Sequence, residues 1–229
     1  MSRYDAYIFD VQGTLMDFYT PVFDALANFF GSEENSVPIG DLVRAWRRDY
    51  FSRVASLDQS AAHWSPVQDA YTAGLDAVSK ALNVPIDPAH HAELAQAWKR
   101  LTPWPDVPEG LQKIRQDAVA ATLSNTDMST MVQLSRTHQL EWDAVLTAEV
   151  FGAFKPEPFV YERTCRYLGV EPGQAAMVAS HPYDLRAARA VGLATVFVYR
   201  PYEFGCIDDA VNDAEGEFDH WVDDIRSIP

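Results

Sequence analysis

The sequence has little cysteine, little positive charge and no long apolar run. Its two cysteines, Cys165 and Cys206, are too few for a disulfide framework or a metal cluster. They are read as free thiols of a chain in a reducing compartment, the cytoplasm. Lys and Arg number 18 against 33 Asp and Glu, a formal net charge of −15 at pH 7. That balance excludes nucleic acid as a partner, because phosphate binding needs a basic footprint. It also excludes docking on an anionic membrane. No apolar stretch approaches the roughly 18 residues of a membrane span, and Met1 to Tyr7 lack the pattern of a secretory signal. Internal repeats and low-complexity tracts are absent too.

What is present is enough apolar material for a full core, 48% of 229 residues. Tyr4 to Phe9 reads as a buried strand ending at Asp10, with Gly13 breaking the pattern after it. From about Pro21 to Arg100 the periodicity is helical. Phe23, Leu26, Ala27 and Phe30 form one face, and Leu42, Val43, Trp46 and Tyr50 form another. Ala70 to Leu82 and Ala92 to Leu101 supply two more helices. Three prolines between Thr102 and Pro108 mark a stiff linker. Beyond it helices and strands alternate: strands at Ala118–Leu123, Ala144–Thr147, Ala175–Ala179 and Ala194–Tyr199, with helices at Gly110–Gln116, Met128–His138, Glu157–Leu168 and Tyr183–Val191. The expected fold is α/β, a Rossmann-like doubly wound parallel sheet with an inserted all-helical cap. The core is assigned to residues 1–16 and 105–229 and the cap to 17–104.

In such sheets the site lies outside the carboxyl ends of the strands, and four polar clusters fall there. Asp10-Val11-Gln12-Gly13-Thr14 offers a carboxylate as nucleophile or metal ligand, or simply an Asx turn. Leu123-Ser124-Asn125-Thr126-Asp127 suits an anion site or a helix N-cap. Lys155-Pro156, with Tyr161 beyond, supplies a cation that can keep a buried carboxylate ionised or can be merely solvated. Ala179-Ser180-His181-Pro182-Tyr183-Asp184 gives a histidine past a strand end and a carboxylate at a helix start.

Taken together, Asp, then Ser, then Lys, then Asp, each at a strand end, resembles the haloacid dehalogenase superfamily over essentially the whole chain. Trp46-Arg47, Leu123-Ser124-Asn125 and Lys155-Pro156 with Tyr161 are most similar to the type II (S)-2-haloacid dehalogenases. The resemblance implies a hydrolase acting on carbon–halide bonds, with a small anionic 2-haloacid as substrate and no cofactor. It also implies a homodimer. Asp10 would displace halide and form an ester, which water then hydrolyses to a 2-hydroxy acid. Lys155 would hold Asp10 charged, and Asp184 would position or activate water. Ser124 would bind the substrate carboxylate, and Arg47 and Asn125 would stabilise the departing halide. Thr14 and Tyr161 would support the site. Tyr19, Trp64 and Trp104 are candidates for an apolar wall. Arg47 and Lys155, with amides near Ser124, would form a small positive pocket in an acidic protein.

The sequence departs from that family at three positions. Gln12 stands where an aromatic is usual, and Ala179 and His181 stand where serine and asparagine are usual. A histidine at 181 can serve as general base for the water. Two rival readings stay open. One is a Mg²⁺-dependent phosphatase or phosphonatase-like hydrolase, with the ion on Asp10, the Gln12 carbonyl and Asp184. The phosphatases of the superfamily carry an acid/base Asp at the position of Gln12, and an amide cannot exchange that proton. The other is a non-catalytic binding member of the same fold.

Overall fold

The computed structural model describes residues 2–31, 37–56, 64–207 and 216–229. The chain forms two compact units, Met1–Asp17 with Pro103–Pro229, and Phe18–Thr102. The first is built on a six-stranded sheet. Strand β1 (Ala6–Phe9) lies between β4 (Val119–Ser124) and β6 (Ala175–Ala179), and β5 (Ala144–Thr147), β7 (Ala194–Val198) and β8 (His220–Val222) complete the order β5-β4-β1-β6-β7-β8. Every pairing in it is parallel, with Phe9 opposite Thr122 on one side and Val178 on the other. Strands buried on both faces need apolar residues without alternation. Ala-Tyr-Ile-Phe in β1 and Ala-Ala-Met-Val-Ala in β6 meet that demand, and both are wholly buried.

The helices that follow in this unit are α5 (Val107–Ile114), α6 (Met128–His138), α7 (Ala148–Phe151), α8 (Pro158–Leu168) and α9 (Pro182–Ala190). Pro158 and Pro182 each open a helix, where a missing N–H costs nothing. Gly169 ends α8 in the left-handed conformation at φ 72°. Val160, Tyr161 and Leu185 pack with Ile8, Met177 and Phe197 against the sheet. The chain runs from β1 outward to β4 and β5, then returns to β6 on the other side of β1. The direction therefore reverses between β1 and β6, and the crevice beyond their carboxyl ends is where such sheets bind ligands.

The second unit holds α1 (Tyr19–Phe30), α2 (Ile39–Ser56), α3 (Val67–Ala81) and α4 (His91–Ala95). Its core is aromatic. Tyr71 stacks on Tyr50 at 4.5 Å and on Trp98 at 4.2 Å, and Trp46 meets Trp98 edge-on at 5.5 Å. The Trp46 indole N–H donates to the Tyr71 carbonyl at 2.8 Å. The buried stripe of α1 is Val22 and Leu26, so Phe23 and Phe30 of the expected face are only half-buried. The expected helix over Ala92–Leu101 is α4 followed by a 3-10 turn, Gln96–Lys99. Two short strands, β2 (Met16–Asp17) and β3 (Thr102–Pro103), pair separately.

One buried ion pair ties the first unit together. Arg200, just past β7, donates to Asp106 and to the Thr14 carbonyl, both at 2.9 Å. Asp106 also accepts the Ile225 N–H at 2.8 Å. Removing one partner of a buried pair strands the other charge away from water. Asp106→Ala should therefore lower the unfolding free energy by about 3 kcal/mol, seen as a lower urea midpoint.

Candidate active site

Asp10 follows β1 directly, and its backbone N–H extends the sheet by donating to the Val178 carbonyl at 3.0 Å. The carboxylate is buried and accepts three hydrogen bonds. Lys155 Nζ reaches Oδ1 at 2.9 Å, while Thr14 Oγ1 at 2.7 Å and His181 Nδ1 at 3.0 Å reach Oδ2. Burial alone would raise the Asp10 pKa. The charge of Lys155 and the hydrogen bonds from His181 and Thr14 win, and hold it well below the usual carboxylate range. The group is thus ionised and poorly hydrated, the condition a carboxylate needs to act as a nucleophile.

Lys155 is buried between two carboxylates. Its ammonium also donates to Asp184 Oδ2, while the Tyr161 hydroxyl donates to Asp184 Oδ1 at 2.6 Å. Burial would lower the lysine pKa, but the charges of Asp10 and Asp184 keep it raised and the ammonium protonated. Asp184 is raised by burial and by the Asp10 charge, against the pull of Lys155. Burial and Asp184 push the Tyr161 hydroxyl upward, so it stays a donor.

This arrangement revises the expected positive pocket: the Lys155 charge is taken up by two carboxylates and adds nothing net for an anion. It also bears on a divalent cation. Both Asp184 oxygens are engaged by Lys155 and Tyr161, and the same ammonium bridges to Asp10. A divalent cation on Asp10, the Gln12 carbonyl and Asp184 would share both carboxylates with that ammonium rather than hold them alone.

Asn125 holds the backbone of Lys155. Its Oδ1 accepts the Lys155 N–H at 2.8 Å and its Nδ2 donates to the Lys155 carbonyl at 3.0 Å. It clamps the loop that carries the lysine, whose bond to Pro156 is cis. Ser124 is buried at the end of β4 beside it. Gln12 is buried in the Asp10 loop and bridges to Met16 through the backbone. Thr14 does more than support Asp10, since its oxygen also accepts the Ser180 N–H at 2.9 Å and so joins the β1 loop to the β6 loop.

A further carboxylate, unmarked in the sequence reading, completes the cluster. Glu203 Oε1 lies 2.8 Å from His181 Nε2, and Glu203 is 6% exposed. Its neighbour Gly13 has φ +91°, and a Cβ there would collide with the Glu203 carboxylate. Only glycine serves both the turn and the approach. Both ring nitrogens of His181 therefore face acceptors, which favours the doubly protonated imidazolium. Burial would lower its pKa, but the charge of Glu203 and the bonds to Asp10 and Glu203 push it up to about 10.

In the helical unit, Arg47 is the distinctive arginine of α2. Arg44 pairs with Asp41 at 2.8 Å and Arg48 is exposed. Arg47 is buried, its guanidinium 4.5 Å from the Phe51 ring, 4.8 Å from Phe18, 5.1 Å from Tyr50 and 5.8 Å from Trp98. It donates to the Tyr71 hydroxyl at 3.0 Å. The i, i+3 and i+4 spacing puts Tyr50 and Phe51 over it. Of the expected wall residues, Tyr19 stacks on Phe23 at 5.8 Å and Trp64 is half-buried. Trp104 belongs to the other unit, where its indole donates to the Gly13 carbonyl at 2.8 Å.

Residues 4–192 match the haloacid dehalogenase-like hydrolase family. The chain belongs to that family. Among solved structures of haloacid dehalogenases, an L-2-haloacid dehalogenase superposes with a TM-score of 0.85 at 32% identity, covering 97% of this chain and 96% of that one. A defluorinating L-2-haloacid dehalogenase gives 0.87 at 30% identity, covering 97% and 92%. The (S)-2-haloacid dehalogenase 4A of Burkholderia cepacia is 27% identical over 218 residues, 90% of each chain. Among these haloacid dehalogenases the α/β core with helices inserted after the first strands is thus shared along nearly the whole length.

The raised His181 pKa has a stability consequence. Between its ordinary value near 6.5 and about 10 the folded protein holds a proton that the unfolded chain has lost. The stabilisation is full below the lower value and declines as pH rises through the window. The urea midpoint of wild type minus that of His181→Gln should shrink steadily from pH 6.5 to 10. A constant difference would contradict it.

Proposed function

We propose that the protein is a 2-haloacid dehalogenase that hydrolyses short 2-haloalkanoic acids to 2-hydroxy acids through an ester on Asp10. The observation that carries this reading is the environment of Asp10: a buried carboxylate, kept ionised by Lys155, Thr14 and His181. Asp10 attacks the carbon bearing the halogen, the carbon–halogen bond breaks, and halide leaves with its electron pair. A halide needs no proton to depart, so the neutral amide at Gln12 is compatible with the step where an acid would be required for a phosphate ester. Water then adds to the Asp10 carbonyl carbon and the ester C–O bond breaks, which releases the 2-hydroxy acid and restores the carboxylate.

Within this reading Lys155, held by Asn125 and countered by Asp184 and Tyr161, sets the charge and direction of Asp10. His181 takes the proton of the attacking water. Ser124 and the start of α6 receive the substrate carboxylate, through N–H dipoles rather than through Lys155. Arg47, fixed by its rings and by Tyr71, receives the halide. Similarity to L-2-haloacid dehalogenases at 30% and 32% identity supports the substrate class. The homodimer and the cytoplasmic location belong to the same reading. The first rests on the resemblance to that family, and the second on unbridged Cys165 and Cys206.

The test is halide release from each enantiomer of 2-chloropropionate with a chelator present. One enantiomer should turn over, and Asp10→Asn should abolish the reaction. His181→Ala should slow ester hydrolysis by about 10²-fold or more while leaving halide release within a few-fold, the range expected for loss of a general base. Metal-dependent turnover of a phosphate ester without halide release would overturn the assignment.

A further inference from the structure

Glu203 is a buried carboxylate that the steps above leave without a task. It reaches the site from a turn after β7, where its N–H donates to the Arg200 carbonyl at 3.1 Å. Arg200 is itself anchored to Asp106 and to the Thr14 carbonyl. Its second oxygen, Oε2, lies 3.3 Å from Ser180 Oγ. The placement is specific, since Gly13 is the residue that leaves room for it.

We propose that Glu203 is a positioning residue for the hydrolytic half of the reaction: by accepting the His181 Nε2–H, it leaves the Nδ1 lone pair aimed at the Asp10 ester. This rests on the reading that Asp10 becomes esterified. Among the groups facing His181 are Asp10, Glu203 and the Tyr183 ring, whose centroid is 5.8 Å away. In the resting enzyme His181 donates to both carboxylates and cannot act as a base. Alkylation removes the negative charge of Asp10 and with it one of the two forces holding the extra proton. The Nδ1 proton then leaves to solvent, to which the side chain is 12% exposed. Glu203 remains to accept Nε2–H, which fixes the tautomer and stabilises the imidazolium when water gives up its proton, the part played by the carboxylate in a Ser-His-Asp triad.

The protons balance. One is released to solvent when the carbon–halogen bond breaks and Asp10 loses its charge. In hydrolysis, water oxygen bonds to the Asp10 carbonyl carbon and one water proton goes to His181 Nδ1, then to the departing alkoxide. The proton left on the new Asp10 carboxyl returns to His181, restoring the imidazolium and carboxylate pair. The net change is one proton, one halide and one hydroxy acid per substrate, and the proton appears in the first half-reaction.

The experiment is a single turnover at about pH 8, above the ordinary histidine value, with the enantiomer of 2-chloropropionate that releases halide. Halide, an indicator dye for protons, and ester mass after acid quench are followed together. In wild type the proton should appear with the halide and ahead of ester decay. Glu203→Gln should keep halide release within about 3-fold and slow ester decay by roughly 10²-fold, with Glu203→Asp in between. Adding Glu203→Gln to His181→Asn should slow decay no further than His181→Asn alone, because Glu203 acts through the imidazole. Ester decay at the wild-type rate in Glu203→Gln, an undiminished effect in the double variant, or a proton that appears only with ester decay would overturn the proposal. The proton arm needs no variant, so a proton that appears only with ester decay overturns the proposal even if Glu203 variants fail to fold. Halide release from wild type with no ester on Asp10 would overturn the underlying reading itself.

Discussion

The site depends on one buried ammonium. Lys155 lies between Asp10 and Asp184 with almost no exposure, and three buried charges are tolerable only if each meets a partner of opposite sign or a hydrogen bond. That requirement accounts for the neighbours. Asn125 holds the lysine backbone from both sides, Tyr161 caps the outer oxygen of Asp184, and Thr14 and His181 satisfy the remaining oxygen of Asp10. Each neighbour offsets part of a buried charge, and Lys155 carries the largest share for Asp10.

The second constraint is backbone geometry at the reversal between β1 and β6. Asp10 and His181 come from loops on adjacent strands, joined by the Thr14 to Ser180 hydrogen bond. Glycine at 13 opens the space that Glu203 fills. The result is a nucleophile with a lysine on one side and a histidine–glutamate pair on the other. The three carboxylates Asp10, Asp184 and Glu203 against two cations leave the cluster slightly acidic, in keeping with the net charge of −15. Within this unit, binding of the substrate carboxylate on the proposed account therefore falls to N–H groups at the start of α6.

Much of this was legible in the sequence, for stated reasons. Parallel strands buried on both faces are uninterrupted apolar runs, as at Ala175–Ala179, which coincides with β6, while the half-buried edge strand β5 coincides with the apolar run Ala144–Thr147. Strand ends announce themselves by a switch to polar residues, which is how Asp10, Ser124 and His181 stood out. Other features carry no such signal. Strand β8 is three residues long, contains a histidine and lies at the sheet edge, so it has no run to read. The bonds of Asn125 to the Lys155 backbone are invisible too, because residue type does not tell where an amide points. The rings around Arg47 come from α1's entry, α2 and the turn after α4, a juxtaposition that exists only in three dimensions. Glu203 carries no such mark, because it sits in a turn after β7 rather than at a strand end. Gly13 reads in the sequence only as a break after the strand, while its positive φ and the approach of Glu203 exist only in three dimensions.

The central claim is that Asp10 itself attacks carbon and that water attacks Asp10, never the substrate. A single turnover in ¹⁸O-water, with enzyme in excess over 2-chloropropionate, tests it directly. The account predicts that the label appears in the peptide containing Asp10 and that the first-formed 2-hydroxy acid is unlabelled. Label in the hydroxy acid with none in Asp10 would mean that water displaces the halide directly, and would contradict the account.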